Sequence, residues 1–329
     1  MEADEVGTEV PSWEVGEVVV DNKTIFISGC GSLAKALTAE LLLHHRPHKI
    51  ILFSRDEYLQ EVAKGEINDP KGVVRYFIGD VRDQDRLDMA LRGVDIVVHA
   101  AALKRVDTVE YNPIEGVRTN IDGTINMVAG CVAHDISKSV FIGTDKAVQP
   151  INFYGGTKFV GEKLWIASNF YKKIFNCVRY GNVMGSRGSV LPLFQRCAKN
   201  RLPFPITDKS MTRFWVTMDE AVKLVVMAME SKEGYTYVLK SPTFKIVDLA
   251  KALYGRAQFD EMGIRPGEKL HETLIGTHET GRVEDRGWYY AIQPEIHYSE
   301  EKWPACKPMK PLVSSEGNVK REEIRGWLS

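Results

Sequence analysis

Short apolar runs alternate with amphipathic stretches along the first half of the chain. The apolar runs have strand length and each precedes small or polar residues, which predicts six strands at 24–27, 49–53, 73–78, 95–100, 139–143 and 175–180. Stretches between them, such as Leu33–His44, carry apolar residues at helical spacing. This alternation of strands and helices predicts the α/β class, with a doubly wound parallel sheet covered on both faces, the Rossmann arrangement.

After Tyr180 the regular alternation ends and prolines become frequent. A helix at 219–231 and an edge strand at 235–239 are still predicted. We therefore expect an N-terminal extension, a dinucleotide-binding Rossmann domain and a smaller C-terminal substrate domain. These comprise residues 1–21, residues 22–181 with a return to the same domain at 215–243, and residues 182–214 with 244–329.

Composition narrows the class of protein. Formal net charge is −1, which argues against a nucleic-acid binder held by a basic field. The five cysteines are dispersed without a C-x-x-C pair and the histidines lack metal-ligand spacing, so we expect reduced thiols and no metal site. The acidic N-terminal residues do not resemble a secretory leader and no apolar run is long enough to span a bilayer, so a cytoplasmic location with no membrane partner is expected.

A glycine-rich turn follows the first predicted strand and opens the first helix. Gly29 permits a tight turn and Gly31 lets the backbone approach a pyrophosphate, while Ser32 and Leu33 begin the helix whose free N–H groups would bind it. In this context the turn predicts a dinucleotide site rather than a simple loop.

The end of the second strand selects the type of dinucleotide. Ser54 and Arg55 suit the 2′-phosphate of NADP, because a guanidinium forms charge-assisted hydrogen bonds with phosphate oxygens. Asp56 could instead bind the ribose of NAD, so NADP is favoured over NAD without excluding it. Further along the predicted cofactor crevice, four residues would line the adenine or leave room for the cofactor, although the alanines could equally serve helix–sheet packing: Asp80, Val81, Ala100 and Ala102.

Tyr154 and Lys158 are four residues apart at the start of a predicted helix and share one face. An ammonium near a phenol lowers its pKa, so Tyr154 could take a proton from a substrate hydroxyl, and both side chains would also contact the cofactor. Thr144, at the end of the fifth strand, could hydrogen-bond the same hydroxyl. A reductase needs only these three residues.

Asp145 and Lys146 directly follow Thr144. An acid and a base beside the reductase residues supply the means for an elimination, since one can remove a carbon-bound proton and the other can protonate a departing hydroxyl. The alternative is a solvated Asp–Lys pair on a loop.

Several motifs together resemble those of the UDP-N-acetylglucosamine 4,6-dehydratases in the extended short-chain dehydrogenase/reductase superfamily, and most closely the 5-inverting enzymes of the pseudaminic-acid type. The motifs are Ser54–Glu57, Gly79–Asp83, His99–Lys104, Thr144–Ala147, Tyr154–Lys158, Val178–Val183, Gly185–Ser189, Met211–Trp215 and Ile264–Glu272. One departure is the glycine turn, which is one residue shorter than the usual G-x-x-G-x-x-G of the family.

The resemblance implies a mechanism for a UDP-sugar substrate. Tyr154 deprotonates O4 while a hydride leaves C4 for the cofactor, Lys146 removes the C5 proton, and Asp145 protonates O6 so that water leaves. The hydride then returns to C6, and a proton reaches C5 from the opposite face. Retaining relatives commonly carry Met at the position of Tyr154, so the resemblance favours inversion at C5.

The resemblance also implies six substrate contacts and a homo-oligomer. The substrate contacts are Lys104, Asn182, Arg187, Arg213, Arg265 and Glu268. Two alternatives remain within enzymes, a retaining 4,6-dehydratase and a 4-epimerase, and a third is a non-catalytic NADP-binding regulator. No residue identifies the group at C2 of the sugar.

Overall fold

The computed structural model of the protein describes residues 20–186, 189–255, 257–296, 303–315, 319 and 324. The extension predicted at 1–21 lies outside these residues except for its last two positions. The strands, in chain order, are β1 (Thr24–Ser28), β2 (Lys49–Ser54), β3 (Val74–Ile78), β4 (Ile96–His99), β5 (Lys138–Ile142), β6 (Ile174–Arg179), β7 (Asn182–Val183), β8 (Phe204–Ile206), β9 (Thr212–Val216), β10 (Thr236–Leu239), β11 (Thr243–Lys245), β12 (Phe259–Glu261), β13 (Thr273–Ile275), β14 (Val283–Asp285), β15 (Tyr289–Ile292) and β16 (Leu312–Val313).

The α-helices are α1 (Ser32–His44), α2 (Glu57–Glu66), α3 (Gln84–Leu91), α4 (Val106–Tyr111), α5 (Pro113–Gly116), α6 (Gly123–Ala133), α7 (Phe153–Ala167), α8 (Val190–Lys199), α9 (Met218–Glu230) and α10 (Ile246–Tyr254). A π-helical turn joins α5 to α6 at Val117–Asp122, and 3₁₀ turns lie at Asp145–Ala147, Ser168–Tyr171 and Thr277–Arg282. In the described part of the chain, no helix is both long and apolar enough to cross a bilayer.

Nine strands form the main sheet, in the order β14-β15-β10-β6-β5-β4-β1-β2-β3. Strands β1 to β6 are parallel and follow the order 3-2-1-4-5-6, which confirms the predicted doubly wound α/β class. The strand order reverses between β1 and β4, and ligands of such sheets bind in the crevice beyond the carboxyl ends of the strands at that point.

Apolar side chains cover both faces of this sheet. In β1, Ile25 and Ile27 pack with Leu37 of α1 on one face, while Phe26 packs with Phe53 and Trp165 in a separate cluster on the other. All five residues of β1 are buried, because helices lie on both sides. This explains why the strands read as continuous apolar runs.

The structure differs from the sequence prediction at the far side of the sheet. Strand β10 is not an edge strand, since it pairs in parallel with β6 and antiparallel with β15. The hairpin of β14 and β15 completes the main sheet, although residues 244–329 had been assigned to the substrate domain. Strands of three or four residues are too short to show a clear period, so the sequence pattern did not reveal them.

The smaller part of the protein is built from short elements around two apolar clusters. Phe194 of α8 and Phe204 of β8 pack against α10, and β8 pairs in parallel with β12. Strands β11, β9 and β7 form a second small sheet, over which Trp215 and Phe244 stack with ring centroids 5.1 Å apart. Near the C-terminus, β16 pairs antiparallel with β13.

A buried triad of ion-paired residues connects β6 to α7 and to the 277–282 turn. The Arg179 guanidinium at the end of β6 pairs with Glu162 of α7 on one side and with Glu279 of the 277–282 turn on the other. Arg179 also donates a 3.1 Å hydrogen bond to the carbonyl of Leu274 in β13. Burial alone would raise the pKa of Glu279, but the adjacent guanidinium holds it below its ordinary value.

Replacing Arg179 by Met should destabilise the protein strongly, by about 3–5 kcal/mol, because two buried carboxylates then lose the cation that they share. In the wild type, the Glu279 contribution is present above the unfolded-state pKa and is lost as pH falls through the lower folded-state pKa. In the variant, protonation relieves the unpaired carboxylates, so stability should rise as pH falls from 8 to 5.5. Urea unfolding at both pH values measures this difference.

The matched control is Lys163→Met. It removes one partner of the exposed Lys163–Glu295 pair, and Lys163 lies next to Glu162 on α7. We expect little change in unfolding free energy at either pH, because exposed pairs contribute weakly. An Arg179→Met variant as stable as this control would contradict the role given to the triad.

Candidate active site

The glycine turn lies against the end of β4. Gly29 has a φ of +99°, and a Cβ there would approach the main chain of Ala101 to 3.6 Å. Gly31 is the N-cap of α1 and its surroundings are open, since no described atom lies within 4 Å of a Cβ built there. Among the described residues, no side chain caps this helix and its first turn carries no carboxylate. Ser32 and Leu33 therefore begin a helix whose N-terminal N–H groups can bind a phosphate.

A chain of hydrogen bonds holds the crevice at the switch point. The Thr124 hydroxyl donates to the carbonyl of Asn120, so His99 Nε2–H donates to Thr124 and Nδ1 accepts from Ser28, 2.8 Å away. Ser28 Oγ in turn accepts from the N–H groups of Ala100 and Ala101. Burial, assisted by the charge of Lys158, lowers the pKa of His99 to about 3.

Asn120 anchors the next part of this loop. Its amide forms hydrogen bonds with both the N–H and the carbonyl of Leu103, and donates to Thr157 of α7. Ala100 and Ala102 are thus fixed between two anchors and are both partly exposed.

The three polar residues at the end of β2, Ser54, Arg55 and Asp56, have different hydrogen-bond partners. Asp56 is the N-cap of α2, and its carboxylate accepts from Leu59 N–H at 3.0 Å. Arg55 is half-exposed, and its Nη1 lies 3.3 Å from Asp80 Oδ2. Arg82 also binds Asp80. Partial burial would raise the pKa of Asp80, but the two arginines hold it below its ordinary value. Ser54 Oγ accepts from Asp56 N–H.

Val81 has a structural role in the same region. Its side chain is buried, and a Cβ at Gly123 of α6 would collide with it at 2.7 Å. The absence of a side chain at Gly123 therefore allows α6 to approach the segment after β3 closely.

The residues predicted to be catalytic meet at the carboxyl end of β5. Thr144 follows the strand, Asp145 and Lys146 form the 3₁₀ turn, and α7 begins beside it. A side chain at Gly155 would overlap the carbonyl oxygen of Lys146, so glycine after Tyr154 is required for this close approach.

The Lys146 ammonium lies between two carboxylates. Its Nζ is 3.1 Å from Asp145 Oδ1, 3.5 Å from Glu272 Oε1 and 3.4 Å from Asn182 Oδ1. Burial disfavours the charged amine, but the adjacent Asp145 and Glu272 carboxylates outweigh it and raise the pKa of Lys146 above its ordinary value. Asp145 is fully buried, and its Oδ2 has no hydrogen-bond partner among the described residues.

Tyr154 lies beside this pair. Burial raises the pKa of Tyr154 to about 12, while the charge of Lys146 and a hydrogen bond with Thr144 oppose that rise. Thr144 donates to Asp145 Oδ1 at 2.9 Å, so its hydroxyl ties the end of β5 to the Asp145–Lys146 turn.

Lys158 is placed differently from Lys146. Its Nζ is 3.8 Å from the ring centroid of Phe141, and burial lowers its pKa to about 8. The cation that most opposes the rise in the pKa of Tyr154 is Lys146, so the influence of Lys158 on the phenol stays a prediction.

The predicted substrate contacts fall into two groups. Asn182 and Arg213 join the Lys146 cluster, where Arg213 is buried and donates to the carbonyls of Thr212 and Leu270. Arg265 and Lys104 are exposed, and Glu268 is partly exposed with its Oε2 unpartnered within the described ranges. Arg187 lies outside the described residues.

The loop that carries Arg265 and Glu268 is hydrogen-bonded to the start of α7, the helix that carries Tyr154. Asn152, the N-cap of α7, donates to the carbonyl of Gly267 at 2.8 Å. Gly267 has a φ of +79°, and a Cβ there would collide with Asn152.

Glu272 was missed as a site residue. It ends the Ile264–Glu272 motif, which was the one signal in the sequence, but nothing in that motif tells which carboxylate reaches Lys146. No group of three or more His, Cys, Asp or Glu suited to a metal ion occurs in the described ranges.

Comparison with known proteins now decides the family. Residues 25–294 match the family described as "Polysaccharide biosynthesis protein". The chain belongs to that family. Its relatives include the UDP-N-acetylglucosamine 4,6-dehydratase (inverting) of Campylobacter jejuni, 42% identical over 85% of this chain and 86% of that protein, which confirms the predicted resemblance.

Other members of the family carry a different name. The UDP-glucose 4-epimerase of Rickettsia bellii is 41% identical over 83% of both chains. Among solved structures, Pen from Bacillus thuringiensis superposes with a TM-score of 0.86 at 34% identity, covering 94% of this chain and 98% of that one. This chain therefore shares the extended short-chain dehydrogenase/reductase fold of the family.

The His99 network predicts a ring that stays neutral, protonated on Nε2, at all pH values near neutrality. Two-dimensional ¹H–¹⁵N spectra of the imidazole should show this tautomer with shifts unchanged between pH 8 and pH 5. The spectrum of His99→Gln provides the assignment. Movement of both ring nitrogens toward the imidazolium position over this range would show that the network is wrong.

Proposed function

We propose that this protein is an NADP-dependent UDP-N-acetylglucosamine 4,6-dehydratase that inverts C5. The observation that carries the proposal is the pairing of buried Asp145 with Lys146 beside Tyr154, beyond the carboxyl ends of the central strands. The 42% identical Campylobacter jejuni protein bears the name of this activity, and the named epimerase relatives make 4-epimerisation the second candidate.

Residues at two places fit the cofactor. Gly29 and Gly31 shape a turn in front of the uncapped N-terminus of α1, where a pyrophosphate fits. Asp56 is engaged as the cap of α2, so Arg55 is the charged group at the end of β2 that suits a 2′-phosphate. NADP, when bound, accepts a hydride from C4 of the sugar and returns it to C6.

Tyr154 is proposed to remove the proton from O4. The positive charge of Lys146 acts on the Tyr154 hydroxyl and stabilises the phenolate that forms. Oxidation at C4 makes the C5 proton acidic, so a base placed near C5 can then remove it.

Lys146 and Asp145 can become base and acid by a single proton shift. At rest the ion pair holds the proton on Nζ, 3.1 Å from Asp145 Oδ1. Its transfer to Asp145 gives a neutral amine, which takes the C5 proton, and a neutral carboxylic acid. The acid protonates O6, the C6–O6 bond breaks and water leaves. The unpartnered Oδ2 of Asp145 is free to face that hydroxyl.

Proton NMR of the protein with UDP-N-acetylglucosamine in D₂O tests the proposal. A new C6 methyl signal, a 4-keto product or its hydrate and deuterium at C5 with inverted couplings are expected. A methyl signal with retained C5 configuration would instead make this a retaining dehydratase. Appearance of the C4 epimer alone would make it an epimerase, and no turnover with NADP bound would support the non-catalytic alternative.

Replacing Lys146 by Ala should lower the dehydration rate by about 10²–10⁴-fold, the usual contribution of a general base. NADP should remain bound, which calorimetric titration measures. Lys163→Ala is the matched control, since that lysine lies on the exposed side of α7 and pairs with Glu295. Full dehydratase activity in Lys146→Ala would refute the assignment of the C5 base.

Replacing Arg55 by Ala should weaken NADP binding by about 10–100-fold and leave NAD binding nearly unchanged, because a charged hydrogen bond to the 2′-phosphate is lost. Calorimetric titration with each cofactor measures the ratio. Arg92→Ala, at an exposed pair with Asp88 on α3, should leave both affinities unaltered. An equal loss for NADP and NAD would rule out a phosphate contact.

The cytoplasmic location and the homo-oligomer stay predictions.

A further inference from the structure

We infer that Glu272 is the positioning residue that holds the Lys146 amine against Asp145, and that the segment 312–315 keeps Glu272 in place. This inference deepens the proposed function and rests on it for the role of Lys146. Glu272 belongs to the C-terminal part of the chain, whereas Asp145 and Lys146 follow β5.

Three cations surround the Glu272 carboxylate. Its Oε1 is 3.5 Å from Lys146 Nζ and 4.0 Å from Arg213 Nε, and its Oε2 is 3.8 Å from Lys269 Nζ. The side chain is 2% exposed, so these interactions are poorly screened by solvent. Within the described residues Oε2 has no hydrogen-bond partner, so charge rather than a hydrogen-bond network fixes this oxygen.

The main chain of Glu272 is held by the C-terminal segment. Its N–H donates to Ser314 Oγ at 2.9 Å, and its carbonyl accepts from Ser314 N–H at 2.8 Å. Ser314 Oγ also lies 2.9 Å from Thr212 Oγ1, next to Arg213. Ser314 is fully buried and follows β16, which pairs with β13 directly after Glu272.

This arrangement sets where the Lys146 proton resides. Asp145 alone would leave the ammonium with one carboxylate partner, whereas Glu272 adds a second at a similar distance. The second carboxylate makes loss of the proton to solvent harder, so the pair retains the single proton that the elimination has to redistribute. It also limits the directions in which Nζ can turn.

Glu272→Gln keeps the shape and removes the charge. The pKa of Lys146 should therefore fall, by about one to three pH units for a poorly screened charge at this distance. The direct measurement is the pH dependence of acetic anhydride labelling at Lys146, followed by mass spectrometry on the full chain with NADP bound. Only the unprotonated amine reacts, so the midpoint of labelling reports that pKa.

A matched control is Glu261→Gln, which neutralises an exposed carboxylate paired with Lys209 in the same part of the protein. Its Lys146 labelling midpoint should equal that of the wild type. Glu272→Asp keeps the charge, so its Lys146 labelling midpoint should lie close to that of the wild type. An unchanged midpoint in Glu272→Gln would overturn the inference.

Ser314→Ala provides a second variant that does not alter the charge cluster itself. Loss of its hydroxyl removes one of the two hydrogen bonds between Ser314 and the Glu272 main chain, so the Lys146 midpoint should fall by a smaller amount in the same direction. If Glu272→Gln fails to fold, an unchanged midpoint in Ser314→Ala overturns the inference. Neither labelling experiment requires turnover of a sugar, so a shifted midpoint without dehydration would uphold Glu272 and refute the proposed function.

With dehydration established, the kcat profile gives a further readout. The alkaline limb of kcat should move to lower pH in Glu272→Gln and remain near the wild-type position in Glu272→Asp. A loss of stability alone would reduce the amount of active protein and leave the limb where it is. A limb that does not move while the labelling midpoint does would show that Lys146 does not titrate in the reaction, which would refute its role as the base.

Discussion

The buried pairing of Arg179 with Glu162 and Glu279 is the interaction on which the site depends. It joins β6 to α7 and to the 277–282 turn. The helix carries Tyr154, and the turn follows the strand that begins after Glu272. Since one guanidinium pairs with both carboxylates, the two sides of the candidate site cannot separate without leaving buried charge unpaired.

The same principle of local compensation recurs throughout the site. Lys146 lies between two carboxylates, and Asp80 lies between two arginines. The whole chain has a net charge of only −1, so affinity for an anionic nucleotide has to come from locally placed groups rather than from an overall field. Neutral hydrogen-bond chains, such as Ser28–His99, then fix the backbone between the charged clusters.

Much of the fold could be predicted because its signals are local. The six parallel strands were predicted from apolar runs that reflect burial on both faces, and the boundaries agree to within one or two residues. The hairpin of β14 and β15 was not predicted, since strands of three and four residues depend on pairing with each other and, for β15, with β10 rather than on their own pattern. The resemblance to a named family rested on motifs and was confirmed by comparison with relatives.

The sequence by itself determined the apolar runs that form the parallel strands, the glycine turn and the adjacency of Thr144, Asp145 and Lys146. Those features lie within a few residues of one another, so spacing alone predicts that they share a strand end or a helix face. Tertiary structure decided that Glu272, 126 positions beyond Lys146 in the numbering, reaches the same amine. Long-range charge contacts depend on how distant segments pack, and packing leaves no periodic trace in the sequence.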